Sequence, residues 1–168
     1  FTGFILNTHQ QLKQAAIKIM RPGMIDYALP LFREEVRILE ILCETLGVTP
    51  LIECGYIKLE DGSPLPSDQN SASARSVRGK IERFGLDRIS NYLSELETRA
   101  HQGWLAYLAT PKLDNQENLM WSCDAGFTRG RFLPVTESLR LCIQICDLIQ
   151  IAHDRNIVYR DHKLLHYY

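Results

Sequence analysis

Apolar residues along the chain fall into short blocks whose spacing changes from one stretch to the next. Phe4-Ile5-Leu6 and the run from Gln14 to Met20 flank a polar turn, Asn7-Thr8-His9-Gln10-Gln11, and predict a β-hairpin over about Gly3 to Met20. Arg21-Pro22-Gly23 breaks that pattern. From about Pro30 to Leu46 the period becomes helical: Leu31, Phe32, Val36, Ile38, Leu39, Leu42, Cys43 and Leu46 share one arc of a wheel turning about 100° per residue. Glu35 falls in the middle of this arc, whereas Glu34 and Glu40 fall outside it. A carboxylate in an apolar stripe is costly to desolvate unless a cation meets it, so Glu35 calls for a buried partner, and Lys18 is the obvious one. The plain alternative is a slightly rotated helix with Glu35 at its rim, and a Lys18 that reaches for water.

Gly47-Val48-Thr49-Pro50 ends the helix, and Leu51 to Leu59 reads as a strand with a bulge at Gly55. Asp61-Gly62 turns it into a Ser-, Pro- and Asn-rich loop from Ser63 to Ser76, poor in apolar residues and expected to be mobile. Val77, Ile81, Phe84, Ile89, Tyr92, Leu93 and Leu96 then predict helices interrupted near Gly85, followed by an apolar cluster from Trp104 to Leu108. A long helix is predicted from Thr136 to about His153, with Thr136 as its cap. Leu141, Ile145 and Leu148 widen its apolar face enough to predict burial. Asn156 closes it, because Asn tolerates the left-handed backbone that such endings use.

Composition narrows the class. Of 168 residues, 45% are hydrophobic and 23% charged, which fits a globular domain with a proper core. The net charge of -1 supplies no footprint for nucleic acid or an anionic membrane. No apolar run approaches the roughly 18 residues of a membrane span and no signal segment opens the chain, so a cytoplasmic location is expected. Five cysteines without C-x-x-C spacing predict neither a disulfide framework nor a zinc ribbon. Cys142 and Cys146 share a helix face at i, i+4 and form either half a metal site or a pair of small buried hydrophobes. The chain opens on Phe1 and stops inside a motif, so a piece of a longer protein is expected.

That motif is Tyr159-Arg160-Asp161-His162-Lys163, which resembles the catalytic loop H-R-D-x-x-x-x-N of protein kinases. Matched position by position, Asp161 takes the place of the catalytic base, Tyr159 replaces the family's His, and His166 stands where the metal-binding Asn is expected. Ala15-Ala16-Ile17-Lys18 resembles the V-A-I-K strand, whose Lys contacts the α- and β-phosphates of ATP and pairs with a helix Glu, here Glu35. The stretch from Asn118 to Gly126 resembles the strand and hinge that hold the adenine, which would put Met120, Cys123 and Asp124 beside the nucleotide.

The resemblance implies an α+β, protein kinase-like fold. Residues 1–125 would form a small antiparallel-sheet lobe and hinge, with 62–116 inserted, and residues 126–168 would begin a helical lobe. It implies transfer of phosphate from ATP, with Mg²⁺ or Mn²⁺, to serine or threonine hydroxyls of a protein substrate. Asp161 would accept the hydroxyl proton, Lys163 would stabilise the transferring phosphate, and Arg160 would meet a phosphorylated loop. Three departures argue for an inactive piece or a pseudokinase scaffold. Only Gly3 could remain of the glycine-rich loop, His166 is a poor ligand for Mg²⁺, and the D-F-G aspartate is not in this sequence. A small-molecule phosphotransferase of similar fold is the third reading.

Overall fold

Cys54 and Tyr56 on one strand, Leu108 and Ala106 on the next, and Phe84 on a third are all buried, and their register places them on one face of a sheet. The structure, a computed structural model, describes residues 2–6, 12–21, 25–60, 79–113, 119–120, 133–160, 163, 166 and 167. In chain order these form β1 (Thr2–Leu6), β2 (Leu12–Ile19), α1 (Ile25–Ile41), β3 (Glu53–Leu59), β4 (Gly79–Phe84), a 3₁₀ turn (Leu86–Arg88), α2 (Ile89–His101), β5 (Leu105–Pro111) and α3 (Val135–Asp154). The five strands make one sheet in the order β1-β2-β5-β3-β4, antiparallel at every described pairing. The fold class is α+β.

Two compact units divide the chain, residues 1–40 with 50–111, and residues 41–49 with 112–168. In the first, the row Lys18, Leu108, Cys54, Phe84 crosses four strands on the face that meets the helices. Leu29, Phe32 and Val36 of α1 and Ile89, Tyr92, Leu96 and Ala100 of α2 join Cys54, Tyr56, Phe84, Trp104 and Leu108 in one core. Its centre is aromatic. The rings of Tyr56 and Tyr92 stack with centroids 4.8 Å apart, and Phe84 meets Tyr56 edge-on at 5.6 Å. Such pairs contribute about 0.5 to 1.5 kcal/mol each beyond the area they bury. The Tyr56 hydroxyl donates to the Tyr92 carbonyl. Burial raises the phenol pKa of both tyrosines and pushes the Cys54 thiol up to about 12.

Three expectations are corrected here. The helix expected from about Pro30 begins at Ile25, so Pro30 lies inside α1. Pro30 cannot donate to the Asp26 carbonyl four residues back, yet burial of Leu29, Phe32 and Val36 on one stripe holds the helix together around it. The sheet does not take its last strand from 118 to 123: Leu119 and Met120 are helical, and 121–123 lie outside the described residues. Instead Leu105–Pro111 is the central strand, so the stretch expected as an insertion over 62–116 supplies β4, α2 and β5. An unbroken apolar run suits a strand buried on both faces, and Leu105 to Ala109 are all buried. Gly79–Phe84 is likewise strand rather than helix. Ile81 and Phe84 fit a helical wheel by their spacing, but pairing with β3 fixes this segment as a polar strand on the sheet's edge.

Lys58 and Lys80 are direct partners across β3 and β4, an opposition of like charges that the Trp104 ring relieves, with the two ammonium groups 5.8 and 5.6 Å from its centroid. The loop expected over Ser63 to Ser76 lies outside the described residues.

In the second unit α3 runs from Val135 to Asp154 with Pro134 as its cap, so Thr136 sits in the first turn and is not the cap. Its end is a Schellman motif: Ile157 N–H donates to the Ala152 carbonyl at 2.9 Å and Asn156 N–H to that of His153 at 2.8 Å, with Asn156 at φ 59°. Gly47, at φ 88°, lies so close to α3 that a Cβ there would come within 2.9 Å of Leu148. Burial of α3 is less than its sequence predicts. Leu139 and Ile143 are 58% and 61% exposed, and Ala152 is the buried residue of the helix. Apolar side chains extend around α3 well beyond the side that carries Leu148. None of the described helices is long and apolar enough to cross a membrane.

Candidate functional site

Lys18 sits near the end of β2, opposite Leu108 of the central strand, so its side chain leaves the sheet on the face that α1 covers. On α1, Glu35 precedes the fully buried Val36 and projects beside the packed stripe. The two side chains meet as an ion pair, Lys18 Nζ donating to Glu35 Oε2. The pair is open rather than buried, with side chains 58% and 36% exposed. Ala15, three residues before Lys18, is buried against Ala109.

The other residues singled out in the sequence are spread over both units. Gly3 is a strand residue, paired with Ala15 in the β1–β2 hairpin. Met120 is helical and exposed. Cys123, Asp124 and Asp161 lie outside the described residues. Arg160, Lys163 and His166 are exposed. The Tyr159 hydroxyl and Nδ1 of His166 are 2.7 Å apart, and Leu119 N–H donates to the Tyr167 carbonyl at 2.7 Å. Cys142 and Cys146 are exposed thiols, and no group of three or more His, Cys, Asp or Glu able to hold a metal ion gathers among the described residues.

A second charged cluster went unread in the sequence. Glu53 opens β3 on the face away from the α1–α2 core, and its side chain is only 12% exposed. Arg83 grips one carboxylate oxygen through Nε, at 2.9 Å, and Nη2, while the Tyr107 hydroxyl donates to the other at 2.8 Å. The hydrogen bond to Glu53 raises the Arg83 pKa, and burial, with that carboxylate beside it, raises that of Tyr107. Gly55 makes the cluster possible. It lies between Tyr107 and Arg83 in the cross-strand register, and a Cβ there would fall 2.6 Å from the Tyr107 ring and 2.1 Å from the Glu82 carbonyl oxygen. The cluster fastens β3, β4 and β5 to one another.

Comparison with protein-family models, with curated proteins and with solved structures finds no match.

Proposed function

We propose that the chain belongs to a kinase-like phosphotransferase, binding ATP and passing its terminal phosphate to serine or threonine hydroxyls of a protein. The observation that carries this reading is the Lys18–Glu35 ion pair. An open pair of this kind is worth about 1 kcal/mol or less to the fold, so stability is a thin reason for it. A lysine steadied by a carboxylate at the solvent-open end of a strand is suited to meet a polyphosphate, as a point charge with three donors. On this reading Lys18 clamps the α- and β-phosphates and Glu35 aims it. The resemblance assigns Asp161 the role of taking the hydroxyl proton, Lys163 that of stabilising the transferring phosphate and Arg160 that of receiving a phosphorylated segment.

The described residues do not fit Mg²⁺. His166 stands at the position the resemblance assigns to a metal ligand, but imidazole is a poor donor for a hard, oxygen-seeking cation, and its Nδ1 is engaged by Tyr159. The same observation favours a second reading, a nucleotide-binding module of kinase-like shape that does not transfer phosphate.

Titration of a fluorescent ATP analogue, with Mg²⁺ or Mn²⁺, into the wild-type chain and Lys18→Ala tests the reading. The expected result is an affinity loss of about tenfold, the usual worth of one charge-assisted contact. Equal affinities overturn it. Radiolabelled transfer to a protein substrate, compared with Asp161→Asn, separates the transferase from the binding module.

A further inference from the structure

Among the described residues, three cations gather over one ring. Trp104 lies just before β5 and is buried. The ammonium groups of Lys58 and Lys80 stand 5.8 and 5.6 Å from its ring centroid, and the Arg99 guanidinium of α2 stands 5.2 Å away. The three are matched very unequally. Arg99 meets Glu82 at 2.9 Å and Glu95 at 3.0 Å. Lys80 has one long contact, 3.6 Å to the Glu82 oxygen that Arg99 does not hold, and Lys58 meets no carboxylate among the described residues. Cross-strand register nonetheless sets Lys58 and Lys80 directly opposite each other, a pairing of like charges that works against the sheet. The ring attracts each ammonium but carries no net charge, so the excess of positive charge remains.

We propose that this cluster is a binding site for a compact dianionic oxyanion, a phosphate group. Lys58 and Lys80 each carry three donors on a flexible stem, and from neighbouring strands both turn onto one oxyanion, which supplies the negative charge that their opposition lacks. Arg99, held by two carboxylates, is the fixed member of the cluster, and the lysines are the movable ones. The site is separate from Lys18, which lies further along the sheet opposite Leu108 and is matched by Glu35. It does not depend on the kinase-like reading.

The chain has two tryptophans, so Trp121→Phe leaves Trp104 as the single indole reporter. Titrating inorganic phosphate into this variant at constant ionic strength, balanced with chloride, is expected to give a saturable change in Trp104 fluorescence and a rise in melting temperature. Adding Lys58→Gln or Lys80→Gln should weaken the apparent affinity about tenfold each, the usual worth of one charge-assisted contact, and both together should abolish the response. Lys58→Arg with Lys80→Arg, which keeps both charges, should retain it, and so should Lys18→Ala. A response that chloride reproduces, one that survives in the double Gln variant, or none at all overturns the site. A phosphoserine peptide set against its unphosphorylated form identifies the source of the phosphate: tighter binding than inorganic phosphate assigns the site to a phosphorylated chain, and equal binding to the free ion.

Discussion

Two carboxylates, one on a strand of the sheet and one on the helix beside it, meet cations in opposite ways. Glu53 is nearly buried and takes three donors, two from Arg83 and one from the Tyr107 hydroxyl, all supplied by neighbouring strands. Glu35 is open to water and takes one, from Lys18, across a gap between helix and strand. A nearly buried carboxylate with both oxygens engaged is part of the framework, and removing it strands its partners. An exposed pair adds little to stability and leaves both groups free to respond to a third charge. The difference separates the joint that ties strands from the pair that a ligand could use.

The most damaging way to break the buried joint is Gly55→Ala. The new Cβ meets a backbone oxygen that cannot move aside and displaces the Tyr107 ring, so a loss of about 3 kcal/mol is expected in urea unfolding. A loss below about 1 kcal/mol would show that the Tyr107 ring is not held over Gly55. Next comes the direct comparison of the carboxylates. Glu53→Gln should cost about 2 kcal/mol, whereas Glu35→Gln should cost no more than about 1 kcal/mol while weakening nucleotide binding. Equal stability losses would erase the distinction.

Alkaline unfolding sharpens the same contrast. The folded-state pKa of Tyr107 is raised above its ordinary 10.0 by burial and by its hydrogen bond to Glu53. Its contribution is therefore complete below pH 10 and is lost as pH climbs through the folded value, because the unfolded chain releases the proton first. Tyr56, Tyr92 and Cys54 act in the same direction, the thiol from 9.0 to about 12. Stability should fall from pH 9 upward, and Tyr107→Phe should flatten the slope above pH 10 by up to about 1.4 kcal/mol per pH unit. The smallest effect belongs to Tyr92, whose buried hydroxyl has no hydrogen-bond partner among the described residues. Tyr92→Phe should leave stability within about 1 kcal/mol of wild type, neutral or improved, where Tyr107→Phe loses about that much at neutral pH.

What is legible in the sequence follows the range of the interactions. The Lys18–Glu35 meeting can be read from the sequence, but the burial expected of it cannot, because Glu35 lies at the rim of its arc and the pair stays open to water. The left-handed Asn156 can be read because a helix end is a local matter. Glu53 escapes notice because a carboxylate at the start of a strand looks solvent-facing, and its partners Arg83 and Tyr107 lie 30 and 54 residues further on. The early start of α1 is hidden by Pro30, whose usual place is a first turn, and that rule yields here to the burial of Leu29 and Phe32. β5 is misplaced for a related reason: a buried strand has no alternation to betray it, and its partners are set by topology alone.

That topology also governs the order of assembly. The β1–β2 and β3–β4 pairs close between neighbours in sequence, but each remains half a sheet until β5, the last of the described strands, slides between β2 and β3. Bringing Leu108 alongside Lys18 closes a very long loop, an entropic cost met only when contacts on both sides of β5 form together. On a ribosome the sheet cannot zip progressively as it emerges; it waits for Pro111 and then locks in one concerted step. Core substitutions in β5 should therefore slow folding, whereas those in β1 should mainly hasten unfolding.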